Sequence, residues 1–291
     1  MIQQTAVFKK FISPAKDSSQ LWRLSSSVLV CIACWVVVTE LAKVLFFSNV
    51  ENSELMLGNT KIGMIFILLS FFGLLLGTFL IAKLHKRPFK SLLGIEHRLK
   101  KYFSITFCIC FVFGLISTYL IVVAGENDLI TNLNYTLWIK YLIWGLPLLF
   151  VQVLAEEVFF RGYLVQQLAA KYRSFLVWMI IPSLAFGFAH YDPETYGKSS
   201  FLIVILLTVY SIFSIDLTRR TGNIGAAVGF HFANNIFAVF IFGSPKKMSG
   251  LSLFILPVDF EEANELKLIL ITEISVLVVM WVILVRVFRG L

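Results

Sequence analysis

The sequence predicts an all-α membrane protein, a polytopic bundle of about eight transmembrane helices, on three observations. Of 291 residues, 58% are hydrophobic and 14% charged, against roughly a quarter charged in an ordinary soluble domain. The apolar residues come in runs of about 20, the length that crosses a bilayer. The basic residues behind the net charge of +8 gather in short stretches between those runs, which fits membrane loops and excludes a nucleic-acid face. Cys31, Cys34, Cys108 and Cys110 all fall inside apolar runs and read as small buried hydrophobes, not as a disulfide framework or zinc ribbon.

Taken in order, residues 1–23 read as a basic tail with Lys9, Lys10, Lys16 and Arg23, followed by one membrane domain over 24–289. The first apolar run, about 25–47, is too long for a signal-peptide core and reads as a retained span. Within it Glu40 and Lys43 are three apart and are expected to pair or to snorkel. A second span covers about 62–82. The most basic stretch follows, from Lys83 to Lys101, with His85 and His97; it reads as a loop against anionic headgroups. Span three is about 102–124, and the loop after it carries Glu126 and Asp128. Span four runs from about 137 towards 170, longer than a bilayer needs, so it is expected to kink at Pro147 or to emerge as a helical extension. Spans five to eight are about 175–190, 201–217, 223–242 and 266–287. Eight spans put both ends of the chain on one side. That side holds 18 of the 25 Lys and Arg residues, Arg161 among them, so both termini are expected in the cytoplasm and the chain in a plasma membrane.

Chemistry concentrates in the second half. Glu156 and Glu157 are adjacent in an apolar span, with Arg161 close behind. An ionised group in the hydrocarbon costs at least ~2.5 kcal/mol on insertion scales, so such a group is compensated or used. Glu157 and Arg161 are four apart and share a helix face, whereas Glu156 to Arg161 is a rotation of about 140°. Arg161 is therefore expected to neutralise Glu157, leaving Glu156 for chemistry. His190 ends span five after Phe186, and His231 and Asn235 share a face of span seven, preceded by Gly222, Gly225 and Gly229, which permit close helix approach. These types suit hydrolysis: a buried carboxylate takes a proton from water, a histidine holds that water, and His231 with Asn235 donates to an oxyanion. Alternatively, Glu156, His190 and His231 are a metal set such as zinc takes. A proton-coupled transporter using Glu156, His190 and His231 as a relay, and a noncatalytic scaffold or immunity protein, are the readings from other classes.

The ordered set Glu156-Glu157-x-x-x-Arg161, Phe186-x-x-x-His190 and His231-x-x-x-Asn235 resembles the three motifs of the CPBP family, which holds CAAX prenyl endopeptidases and bacteriocin-processing intramembrane proteases. The likeness covers about 137–243. It implies an intramembrane endopeptidase acting on a membrane-associated protein or peptide, with no nucleic-acid partner. In its terms Glu156 is the general base, His190 positions the water, His231 and Asn235 stabilise the oxyanion, and Glu157 and Arg161 hold the first helix. No H-E-x-x-H motif is present, and the resemblance leans to a glutamate mechanism without an obligatory metal, with zinc as the alternative.

One tension follows from these spans. His190 lies about sixteen residues into span five and His231 about eight into span seven, so at 1.5 Å per residue their depths differ by ~12 Å. For the two to meet, span five must start within the membrane or the helices must tilt.

Overall fold

The structure, a computed structural model, describes residues 4–124, 129–256 and 263–289. Glu126 and Asp128, and the side chains of Lys198 and Lys267, lie outside the described residues. The described chain is helical almost throughout. In order the helices are α1 Ala6–Ile12, α2 Leu21–Phe46, α3 Asn52–Leu57, α4 Lys61–Leu84, α5 Glu96–Ala124 and α6 Tyr135–Lys171. After α6 come α7 Leu176–Phe188, α8 Pro193–Tyr196, α9 Ser200–Thr221, α10 Gly225–Ile241 and α11 Ala263–Arg289. Six of them, α2, α4, α5, α6, α9 and α11, are long and apolar enough to cross a membrane; α7 and α10 are apolar but shorter. Three two-residue strands cap the end of the bundle opposite the basic loops: β1 Ile130–Thr131 pairs antiparallel with β3 Phe254–Ile255, and β2 Phe242–Gly243 pairs parallel with β3.

Local sequence sets several of these boundaries. Thr60 and Asn134 begin α4 and α6 by accepting the backbone N–H of Gly63 and Leu137 at 3.1 and 2.9 Å, which satisfies donors that a helix start leaves free. Gly222 ends α9 at φ +69°, a left-handed turn that a side chain would strain. It is thus a turn glycine, while Gly225 and Gly229 make the close approach. A Cβ on Gly229 would lie 2.5 Å from the carbonyl oxygen of Phe103, and Gly225 is as tight against that of Leu99. This seats α10 on α5, where Phe103, Phe107 and Phe111 form a stacked ladder that meets Phe150 of α6 and Phe232 of α10.

α6 runs through Pro147 as one 37-residue helix, longer than a bilayer needs, and residues 158–169 of its far end are all buried. Two expectations are corrected. The basic tail is folded over that end. α1 buries Phe8, Phe11 and Ile12, Phe8 meets Trp178 of α7 at 5.0 Å, and Gln4 Nε2 donates to the carbonyl of Ala169 at 3.1 Å. The basic loop is only partly a headgroup surface. Lys83, Lys86, Arg98, Lys100 and Lys101 are exposed, but Arg87 is buried, donating to Gln166 and Ser91, and His85 bridges Ser27 of α2 and Gln167 of α6 at 3.2 Å each. Glu40 is exposed and Lys43 half-buried near the far end of α2, and no ion pair joins them among the described residues. The cysteines are free, with Cys31 and Cys110 buried, Cys34 intermediate and Cys108 exposed.

The depth tension disappears for a reason opposite to the one expected. α6 and α7 form an antiparallel hairpin about residues 172–175, in which Arg161 and Phe186 each stand ten residues from the turn, or ~15 Å. His231 stands only six residues, ~9 Å, from the start of α10. Span five therefore starts some 6 Å further out on the basic side than span seven, in the layer that α1 covers.

Candidate active site

The site is built where the middle of α6 crosses α10. Glu156, Glu157 and Arg161 come from α6 at the junction between its α-helical part, Tyr135–Glu157, and a π-helical turn, Val158–Leu164. Such a turn inserts one extra residue per hydrogen-bonded ring and is common at functional sites. Glu156, Glu157, Arg161 and His231 are 6%, 0%, 0% and 4% exposed.

Glu157 is shared. Arg161 Nη1 lies 2.9 Å from its Oε1, and His231 Nδ1 donates to the same oxygen at 2.8 Å. Because a carboxylate accepts, His231 carries a proton on Nδ1. The other ring nitrogen, Nε2, faces Glu156 Oε2 at 3.6 Å, outside hydrogen-bond reach. Glu156 Oε2 has no hydrogen-bond partner. Two carboxylates and one guanidinium leave a net negative charge in a dry place, and one further proton on Glu156, Glu157 or His231 makes the set neutral. Buried charge is tolerated only when balanced in this way.

Aromatic rings wall this cluster. The Arg161 guanidinium stacks over Phe186 at 4.4 Å, in the geometry of a cation–π contact. Phe186 also meets His190 at 4.9 Å and His231 at 6.0 Å between ring centroids. His190 lies just past the end of α7, half-buried, and its Nδ1 is 2.8 Å from the carbonyl of Phe186. A carbonyl can only accept, so Nδ1 carries the proton and Nε2 keeps a free lone pair. Asn235, one turn beyond His231, donates from Nδ2 to Gln152 Oε1 at 3.1 Å, which leaves the second N–H of its amide for another acceptor.

The six residues singled out in the sequence thus lie on α6, on α10 and at the end of α7, around the Phe186 ring and the glutamate pair. The structure brings His231, rather than His190, against the two glutamates, with Nδ1 on Glu157 and Nε2 towards Glu156. Among the described residues no three His, Cys, Asp or Glu side chains form a set that could hold a metal ion. His231 turns Nδ1 to Glu157 and His190 turns Nδ1 to a backbone carbonyl, so each keeps Nε2 for another partner, an orientation that metal-ligating histidines also adopt.

Two residues of the site escape a reading of the sequence. Gln152 is buried one turn before Glu156, and its signal was a polar amide at i−4 in an apolar run. Tyr210 of α9 is buried, stacks on Phe230 at 4.8 Å and stands edge-on to His231 at 5.6 Å. A tyrosine in a membrane span carries no such signal.

Residues 138–237 match a family model described as type II CAAX prenyl endopeptidase Rce1-like. That segment runs from α6 into α10 and contains all six residues. The uncharacterized protein YyaK of Bacillus subtilis (strain 168) is 26% identical over 240 residues, which cover 78% of this chain and 80% of that protein. No solved structure matches the chain.

Proposed function

We propose that this chain, whose residues 138–237 match the Rce1-like CAAX endopeptidase model, is an integral membrane peptidase in which Glu156 activates the water that cleaves the peptide bond. The observation that carries this reading is the inequality of the two glutamates. Each has a buried oxygen without a hydrogen-bond partner, but Glu157 is held through Oε1 by Arg161 at 2.9 Å and His231 at 2.8 Å, whereas the nearest basic nitrogen to Glu156 is His231 Nε2 at 3.6 Å.

In this mechanism a water lies between Glu156 and the scissile carbonyl. His190 Nε2, with its lone pair free, accepts one hydrogen of that water and orients it. Glu156 takes the other proton as the oxygen attacks the carbonyl carbon, and the C=O electrons become the oxyanion. In this reading the second N–H of the Asn235 amide donates to that oxyanion; removing one such donor from a hydrolase typically costs ~10²–10³ in rate. As the C–N bond breaks, the proton on Glu156 passes to the leaving amine. His231 and Arg161 hold the charge of Glu157 throughout, and Gln152 orients Asn235.

The substrate that suits a site buried in the bundle is an apolar, membrane-associated peptide, of the leader or signalling kind. We place the chain in a bacterial plasma membrane with both termini in the cytoplasm; the Bacillus relative and the crowding of exposed Lys and Arg at one end of the bundle support this. The test is cleavage of a lipid-anchored peptide library by the purified protein in vesicles. Cleavage that persists in a metal chelator and falls at least ~10²-fold in Glu156→Gln supports the reading. Undiminished cleavage by Glu156→Gln overturns it.

A further inference from the structure

His190 has no helix under it. α7 ends at Phe188, and the chain runs through a short connection before α8 begins at Pro193. Two residues after His190, Asp192 does two things at once. Its Oδ1 accepts the backbone N–H of Thr195 at 3.1 Å and so caps α8, and its Oδ2 binds Lys247 Nζ at 2.6 Å. Lys247 belongs to the loop after α10, the helix that carries His231 and Asn235.

That loop is a firm anchor. Lys246 and Ser249 are tied to Asn59, whose Nδ2 donates to the Lys246 carbonyl at 3.0 Å and whose Oδ1 accepts from Ser249 Oγ at 3.1 Å. Asn132 Nδ2 donates to the carbonyls of Ser249 and Ser252 at 2.8 and 2.9 Å, and Met248 N donates to the Leu57 carbonyl at 2.8 Å. The ion pair therefore fastens the short, irregular segment that carries His190 to a loop braced by Asn59, Asn132 and Leu57. Burial works against the Asp192 carboxylate, but the hydrogen bonds from Lys247 and Thr195 outweigh it and hold its pKa below the ordinary value, so Asp192 is charged at neutral pH. Tyr196, another titratable group near Asp192, is pushed the other way by burial and by the Asp192 charge, and stays neutral.

We propose that Asp192 and Lys247 are a positioning pair that sets His190 against the site from outside it. The proposal rests on the peptidase reading above. A partly exposed ion pair contributes little to global stability, so its value here is local: it fixes which way the residue two positions upstream presents its ring.

The test uses the full chain in vesicles. Asp192→Asn keeps the helix cap and removes the charge; Lys247→Gln removes the partner. Each is expected to lower kcat on a cleaved lipid-anchored peptide about tenfold with KM changed less than twofold, and to raise amide hydrogen exchange over residues 189–196 at least tenfold. Lys247→Arg, which keeps a cation opposite Asp192 and leaves the cap intact, is expected to hold kcat within about threefold of wild type and to keep protection. Exchange that does not change in Asp192→Asn overturns the proposal. So does raised exchange with unchanged kcat in a protein that Glu156→Gln inactivates, since the peptidase reading then stands while the pair has no positioning role. If Glu156→Gln stays fully active, the peptidase reading falls, and with it the claim that the pair serves catalysis.

Discussion

Adjacent in sequence, Glu156 and Glu157 face different surroundings, so removing their charges has different consequences. Glu156→Gln keeps shape and polarity and is expected to cost activity with little change in stability. Arg161→Met leaves Glu157 buried beside only His231, and losing one partner of a buried ion pair typically costs ~3–5 kcal/mol. Thermal unfolding in detergent checks this: Arg161→Met should lower the midpoint clearly while Glu156→Gln leaves it near wild type. The pairing of Glu157 with Arg161 was legible because four residues on a helix is a fixed geometry. The engagement of His231 with Glu157 was not, because it depends on how α10 is rotated against α6, and that is set by packing between segments 74 residues apart.

The rotation of α10 is an element-scale property, held by glycines. A methyl group on Gly229 would meet the Phe103 carbonyl at 2.5 Å and force α10 off α5. Gly229→Ala should therefore destabilise by about 1–3 kcal/mol, as overpacking does, and should reduce peptide cleavage although it touches no reacting group. The far part of α6 invites a pH test. Burial, and then the charges of Arg23 and Arg87, lower the pKa of His85, which bridges Ser27 and Gln167 as a neutral ring. With the folded pKa below the unfolded value of about 6.5, the unfolded state binds more protons in acid, so the contribution is full above that value and is lost as the pH falls below it. Melting midpoints measured from pH 7 to pH 5 should fall in wild type and fall less in His85→Gln; equal slopes would show that His85 is not the group responsible. The run of apolar residues located α6 and its excess length, but not that Val158–Leu164 is buried, because the walls come from α4, the chain at Phe89–Leu92, α7 and α9, all distant in sequence or across a turn.

At the scale of the molecule, hydropathy and the spacing of basic residues were enough to identify a helical membrane bundle, because a bilayer leaves few alternatives for the backbone. What they could not show was the layer that α1 and the end of α6 build beyond the membrane spans. That layer is held by Phe8, Phe11 and Trp178, residues that in sequence look like the flank of a span. It also explains how His190 and His231 share the Phe186 ring although they start from turns at different depths. The claim that unites the three scales is that this bundle carries a glutamate-dependent peptidase. It is tested most directly by comparing membrane and released peptide termini in cells that carry the wild-type chain, Glu156→Gln or neither. Specific new termini that appear with the wild type and are absent with both Glu156→Gln and the empty cell are the predicted result. Termini that are the same with Glu156→Gln as with the wild type would contradict it.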